Sequence, residues 1–175
     1  EPGIPLESQA FYHDLAFLLV NWQLSAGYSL TSWMTAEVQV PLRLAHIDAT
    51  FLNEEGEVLP GFESIHHRNE TLFGLGDVMV GLRFLLLPPG LIDGLVVSVS
   101  AGLSLPTGGI EPDPFERGRR GQKHQHIFFG TGTVDPYAAL AVALDLEWLR
   151  LVGFGHAQGS LYANRYDYQG TGKIY

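Results

Sequence analysis

From Leu15 to Ala36 the chain carries no charged residue. That is long enough for a membrane-spanning helix, which needs about 20 apolar residues. The polar residues in it, however, fall on alternate positions. Asn21, Gln23, Ser25, Gly27 and Ser29 interleave with Val20, Trp22, Leu24, Ala26, Tyr28 and Leu30. A period of two describes a strand with one apolar and one polar face, because successive side chains point to opposite sides. A helix would scatter the same polar groups around its circumference and leave them unsatisfied in hydrocarbon.

The alternation recurs. Ala36, Val38, Val40, Leu42 and Leu44 oppose Thr35, Glu37, Gln39 and Arg43. Val78, Val80, Leu82 and Phe84 oppose Asp77, Gly81 and Arg83, and Val97, Val99, Ala101 and Leu103 oppose Ser98, Ser100, Gly102 and Ser104. Ala138, Leu140, Val142 and Leu144 oppose Asp135, Tyr137, Ala139, Ala141, Ala143 and Asp145. These runs predict strands over about 15–28, 34–51, 77–87, 95–105, 135–146 and 149–162, within one β-domain covering 1–175. The faces of the sixth stay unassigned, because Gly153, Gly155 and Gly159 interrupt it. Each run is about ten residues in its alternating part, the length at which a tilted strand crosses a bilayer. Short connections at Ser29–Trp33, Pro88–Gly94 and Asp145–Leu149 alternate with long polar loops at 53–75 and 106–134. That asymmetry is expected of an outer-membrane barrel, with tight periplasmic turns and long outer loops. Trp33 and Trp148 fall at short turns, where one aromatic girdle is expected; Tyr137, Phe128, Phe129 and Tyr162 are the candidates for the other.

Composition agrees with this class. Charged residues are 17% and apolar ones 46% of the chain, against about 25% charged in an average soluble domain. A soluble sandwich or lipocalin-like barrel also alternates, but its outward polar face is rich in Lys, Glu and Thr. Here the polar face is mostly Ser, Gly, Ala and a few charges, which suits a lumen. The net charge of −9 and the lack of a basic stripe argue against a nucleic-acid partner, and the absence of cysteine excludes thiolate chemistry. The expected partners are the lipid bilayer and a small hydrophobic solute.

If the short turns are periplasmic, the first strand runs inward and the sixth outward. Barrels of this kind begin and end in the periplasm, so this chain reads as a fragment of an antiparallel up-and-down transmembrane β-barrel of eight or more strands.

Three glycine-marked segments, Gly74-Leu75-Gly76-Asp77 running to Gly81-Leu82-Arg83-Phe84, Gly102-Leu103-Ser104-Leu105-Pro106-Thr107-Gly108, and Gly130-Thr131-Gly132-Thr133-Val134-Asp135-Pro136-Tyr137, occur in that order. Together they resemble the outer-membrane β-barrel family of MetA-pathway phenol-degradation proteins, a transporter-like group. The resemblance covers about Leu15 to Tyr162. It implies a bacterial outer-membrane location and passage of hydrophobic or aromatic compounds, and it brings no catalytic residues.

The chemistry-bearing candidates are few. No G-x-S-x-G esterase elbow is present, and Gly74-x-Gly76 and Gly130-x-Gly132 lack the third glycine of a dinucleotide fingerprint. These glycines are expected to turn the chain from loop into strand, and no enzymatic role or cofactor is expected. Glu37, Gln39, Arg43, Asp77, Arg83, Asp135 and Asp145 are the expected lumen-facing set. An arginine on the lipid face at midplane costs about 2–4 kcal/mol, which sends Arg43 and Arg83 inward. Such a set serves either as a polar conduit or as paired charges that fill a small barrel. His66, His67, His124 and His126 lie on the long loops, and imidazoles there offer ligands for Zn, Cu or Ni, with Glu111, Asp113 and Glu116 nearby in sequence. Solvated loop histidines are the plainer alternative. The expected function is thus a passive channel, with a non-transporting scaffold or metal-binding loop platform as the second reading.

Overall fold

The period-two runs pair edge to edge. The computed structural model describes residues 12–60, 62, 68–88, 90–110, 114–124, 126–167, 169 and 173–174. They form an all-β, antiparallel, curled half-barrel sheet with almost no helix. Strands β1 (Tyr12–Ser29) and β2 (Met34–Leu52) pair along their full length, from Tyr12 opposite Leu52 to Ser29 opposite Thr35. β2 is then flanked by two strands in succession, β3 (Glu70–Leu75) beside its second half and β4 (Val78–Leu85) beside its first. β5 (Leu95–Leu105), β6 (Asp135–Asp145), β7 (Arg150–Gln158) and the two-residue β8 (Lys173–Ile174) complete the order β1-β2-β4-β5-β6-β7-β8. One short helix, α1 (Pro114–Arg119), lies in the connection between β5 and β6. No helix among the described residues is long and apolar enough to cross a membrane.

Several expectations change. The 53–75 segment is not all loop, since Glu70–Leu75 forms β3. The register explains how. Leu42 faces Leu75 while Gln39 faces Met79, so Val40 and Pro41 stand opposite Gly76, Asp77 and Val78. β3 and β4 are therefore one strand interrupted by a bulge, in which two residues on one side oppose three on the other. Pro41 has no N–H to give there, and its carbonyl accepts the Gly76 N–H at 2.8 Å. Gly76 thus belongs to a bulge rather than to a loop-to-strand turn. The sixth expected strand stops at Gln158 rather than Tyr162, and the 106–134 loop contains α1.

In an antiparallel pair, directly opposite residues share a face. Following the register from Gln39 to Met79, Ser104 and Asp135, and from Tyr137 to Gln158, traces one face across five strands. Gln23, Gln39, Met79, Ser104 and Gln158 from that face all line a single cavity, so it is the concave one. The register also resolves β7: Arg150, Phe154, His156 and Gln158 lie on the concave face and Leu151, Gly153, Gly155 and Ala157 on the convex one.

The convex face over Val20–Tyr28, Ala36–Leu44, β4, β5, β6 and β7 carries no charged side chain, and its polar side-chain atoms are the indole N–H of Trp22 and the hydroxyl of Tyr28. Its aliphatic and aromatic groups stand open: Leu24 is 62% and Leu140 49% exposed. Past Leu44, β2 reverses polarity. His46, Asp48 and Thr50 take the convex side, while Ala45, Ile47 and Phe51 are buried on the concave side, where Phe51 meets Phe62 at 4.6 Å between ring centroids. The apolar belt on β2 is thus about ten residues tall, matching the ~9–11 of a tilted membrane strand. The connections at 30–33, 86–94 and 146–149 leave one end of the sheet, and those at 53–69, 106–134 and 159–172 leave the other. Gly94 adopts φ 72° in the second of these turns, and a Cβ on it would strike the Asp145 carbonyl oxygen. Trp33 sits at the short-turn end stacked on Phe84 at 5.9 Å, and Trp148 is exposed at the same end.

Candidate functional site

Glu37, Gln39, Arg43, Arg83, Asp135 and Asp145 all occupy concave-face register positions. Near the short turns they are paired: Arg83 Nε lies 3.2 Å from Glu37 Oε1, Ser100 donates to Glu37 Oε2 at 3.3 Å, and Arg150 Nε lies 2.8 Å from Asp145 Oδ1. One step up the wall, Gln23 Nε2 donates to Gln39 Oε1 at 2.8 Å, bridging β1 and β2.

At mid-height the concave wall borders a half-open cavity of about 500 Å³, lined on its other side by Phe128, Phe129, Gly130 and Thr131 of the long β5–β6 connection, its roof. Arg43 NH1 donates to the Phe129 carbonyl at 3.0 Å and so ties wall to roof. Phe128 and Phe129, expected at an aromatic girdle, instead line this cavity. Tyr137 is also corrected. It is 5% exposed on the concave face and stacks on His156 at 5.5 Å. Its sequence parity with Asp135 was the signal, since both alternate with Leu140 and Val142 and so face the other way. Its ring lies over a glycine pair: Gly81 faces Gly102 across β4 and β5, and a Cβ on Gly102 would come within 2.9 Å of Tyr137 Cε1 and 2.6 Å of Gly81 Cα.

Asp77 is buried in the bulge and holds the roof in place. Its Oδ1 accepts the Gly108 N–H at 2.9 Å, and its Oδ2 accepts the Thr131 N–H at 2.7 Å and the Thr131 hydroxyl at 2.9 Å. Gly130 is packed so closely here that a Cβ would meet Asp77 Oδ1 at 2.6 Å. The polar chain continues upward. Thr133, fully buried, donates its hydroxyl to Asp135 Oδ1 at 2.6 Å, Gln158 Nε2 donates to Asp135 Oδ2 at 3.2 Å, and Asn164 Nδ2 donates to the Thr131 carbonyl at 3.0 Å. Both acidic groups are satisfied by neutral donors, as buried carboxylates must be. Thr131, Thr133 and Asn164 were invisible to sequence reasoning, because single polar residues in a long loop carry no periodic signal.

Among the loop histidines, His124 and His126 come together with Nε2 atoms 3.1 Å apart, and His124 is buried with Nδ1 2.9 Å from the Gln122 carbonyl. His66 and His67 lie outside the described residues, as do Glu111 and Asp113. Among the described residues no group of three or more His, Asp or Glu side chains stands ready for a metal ion. Arg117, Arg119, Arg120 and Lys123 form a basic run before His124, of which Arg120 NH2 lies 2.8 Å from Glu116 Oε1.

No protein-family model, curated protein or solved structure matches this chain.

Proposed function

We propose that this chain is part of a closed outer-membrane β-barrel that passes small hydrophobic or aromatic compounds passively through its lumen. The observation that carries the reading is the contrast of faces. An uncharged, open convex belt surrounds a concave wall on which Glu37, Gln39, Arg43, Arg83, Asp135 and Asp145 gather. In water such a belt is a large exposed apolar patch with no covering layer; in hydrocarbon it is the ordinary outer surface of a barrel. The reversal of polarity on β2 past Leu44 supports the same reading, because a lipid-facing strand returns to polar groups where it leaves the bilayer. The likeness of the three glycine-marked segments to the transporter-like family points the same way. The route is narrowed by the roof that Asp77 and Arg43 hold, so the solute passes a fixed constriction rather than a freely swinging loop. Single-channel recording of the full-length protein in planar bilayers tests this: discrete conductance steps are expected, and a silent bilayer rejects the conduit.

The approach of His124 to His126 favours a second reading, a barrel whose loops bind a metal ion. Two imidazoles with Nε2 atoms 3.1 Å apart can share one Zn²⁺, with water in the open positions. Zinc titration of the full-length protein against His124→Ala and His126→Ala separates the readings, because unchanged binding removes the platform.

A further inference from the structure

The arginines of the concave face are not equivalent. Arg83 pairs with Glu37, and Arg150 with Asp145. Arg43 has no carboxylate within ion-pair distance among the described residues; its NH1 is held by the neutral Phe129 carbonyl, and its Nε is buried without a hydrogen-bond partner beside Gly76. A half-buried guanidinium without a counter-charge is costly, because attraction to an anion normally offsets the water it has lost.

Arg43 lines the 500 Å³ cavity, where it is the sole Lys or Arg among the described lining residues. Among the described lining residues the one carboxylate is Asp77, and both its oxygens are committed to Gly108 and Thr131 of the loop. Phe128 and Phe129 of the roof, Met79 of β4 and Phe154 of β7 surround the same space. The volume falls within the ~300–1,000 Å³ of small-molecule sites, which combine apolar walls with a few placed polar groups.

We infer that this cavity is a binding site for small organic anions, in which Arg43 takes a carboxylate and the Phe128–Phe129 roof covers the apolar body. A planar guanidinium presents parallel donors that match a carboxylate in geometry as well as charge. With Nε buried beside Gly76 and one NH1 hydrogen given to the Phe129 carbonyl, NH2 and the second NH1 hydrogen are the donors left for the carboxylate. The inference deepens the conduit reading and rests on it for its biological sense, since it gives the channel a preference for amphipathic acids over neutral molecules of the same shape.

The test uses full-length protein and two probes of one shape, 4-fluorobenzoate and 4-fluorobenzamide, with binding followed by fluorine NMR. The acid is expected to bind about tenfold tighter than the amide, the effect of one well-placed charge-assisted contact. Arg43→Gln is expected to bring the acid-to-amide affinity ratio close to one, whatever it does to the two affinities separately, and Arg43→Lys to keep part of the ratio. If the Gln variant does not fold, the acid-to-amide ratio of the wild type and of Arg43→Lys decides. Equal affinities for the two probes, or a ratio indifferent to residue 43, overturn the site. Conductance is recorded separately on the same protein. Channel steps without discrimination sink this inference alone, whereas discrimination without channel steps sinks the conduit and leaves the site standing.

Discussion

The Asp77 carboxylate accepts the backbone N–H of Thr131 at 2.7 Å across 54 positions of sequence. This contact, with the parallel one to Gly108, joins a bulge in the wall to the two ends of the β5–β6 connection. Asp77→Ala would leave two backbone N–H groups and a hydroxyl without their acceptor. Orphaned buried donors cost about 1–3 kcal/mol, so unfolding in urea is expected to shift by that order. The loop is also expected to become a protease target while the strands stay resistant. A loop cut at the wild-type rate in the variant contradicts the anchoring role.

Gly102 and Gly153 offer a matched contrast. A Cβ on Gly102 meets the Val80 carbonyl oxygen, the Gly81 backbone and the Tyr137 ring, whereas one on Gly153 meets nothing within 4 Å. Gly102→Ala should therefore destabilise by about 1–3 kcal/mol through overpacking. Gly153→Ala should change stability by less than about 0.5 kcal/mol. Chemical unfolding of both variants measures the difference, and equal midpoints would show that Tyr137 does not press on the glycine pair.

The membrane reading makes its own demand on the convex face. Leu140→Arg places a cation in the middle of the exposed belt, with a cost of about 2–4 kcal/mol in a bilayer. On a water-exposed surface the same change is nearly neutral. Refolding into lipid vesicles, read on a heat-modifiability gel, distinguishes the two. A Leu140→Arg variant as stable in vesicles as wild type contradicts a lipid-facing position for Leu140.

Outside the sheet, the Glu116 carboxyl is held below the usual glutamate range, first by its hydrogen bond from Arg119 and then by the charge of Arg120. A carboxylate whose pKa is depressed on folding stabilises above its unfolded value and loses that contribution as pH falls through the folded one. The α1 turn should thus keep its amide protection at neutral pH and lose it below the ordinary glutamate pKa of about 4.3. The Arg120 amide, which bonds the Glu116 carbonyl at 3.2 Å, is the reporter. Glu116→Gln should flatten the pH dependence, and a wild-type profile that is already flat contradicts the assignment.

Much of the sheet was legible before any coordinates. The β5 limits at Leu95 and Leu105 fall where the alternation places them, and Glu37, Gln39, Arg43 and Arg83 lie on one face because parity alone puts them there. β3 was less legible. Its alternation of Thr71, Phe73 and Leu75 is short and ends at Gly76, so it reads as the tail of a loop until β2 is seen beside it. Tyr137 was misread for a different reason: its aromatic character was weighed above its parity with Asp135.

The local rule of side-chain alternation was enough to decide that this chain makes antiparallel strands with one greasy and one polar side, because that rule acts between immediate neighbours and is written in the order of residues. Which side curls inward, where Asp77 reaches the loop and why Arg43 meets the neutral Phe129 carbonyl were decided in three dimensions alone. Those relationships join residues tens of positions apart through single contacts, and a single contact leaves no period in a sequence.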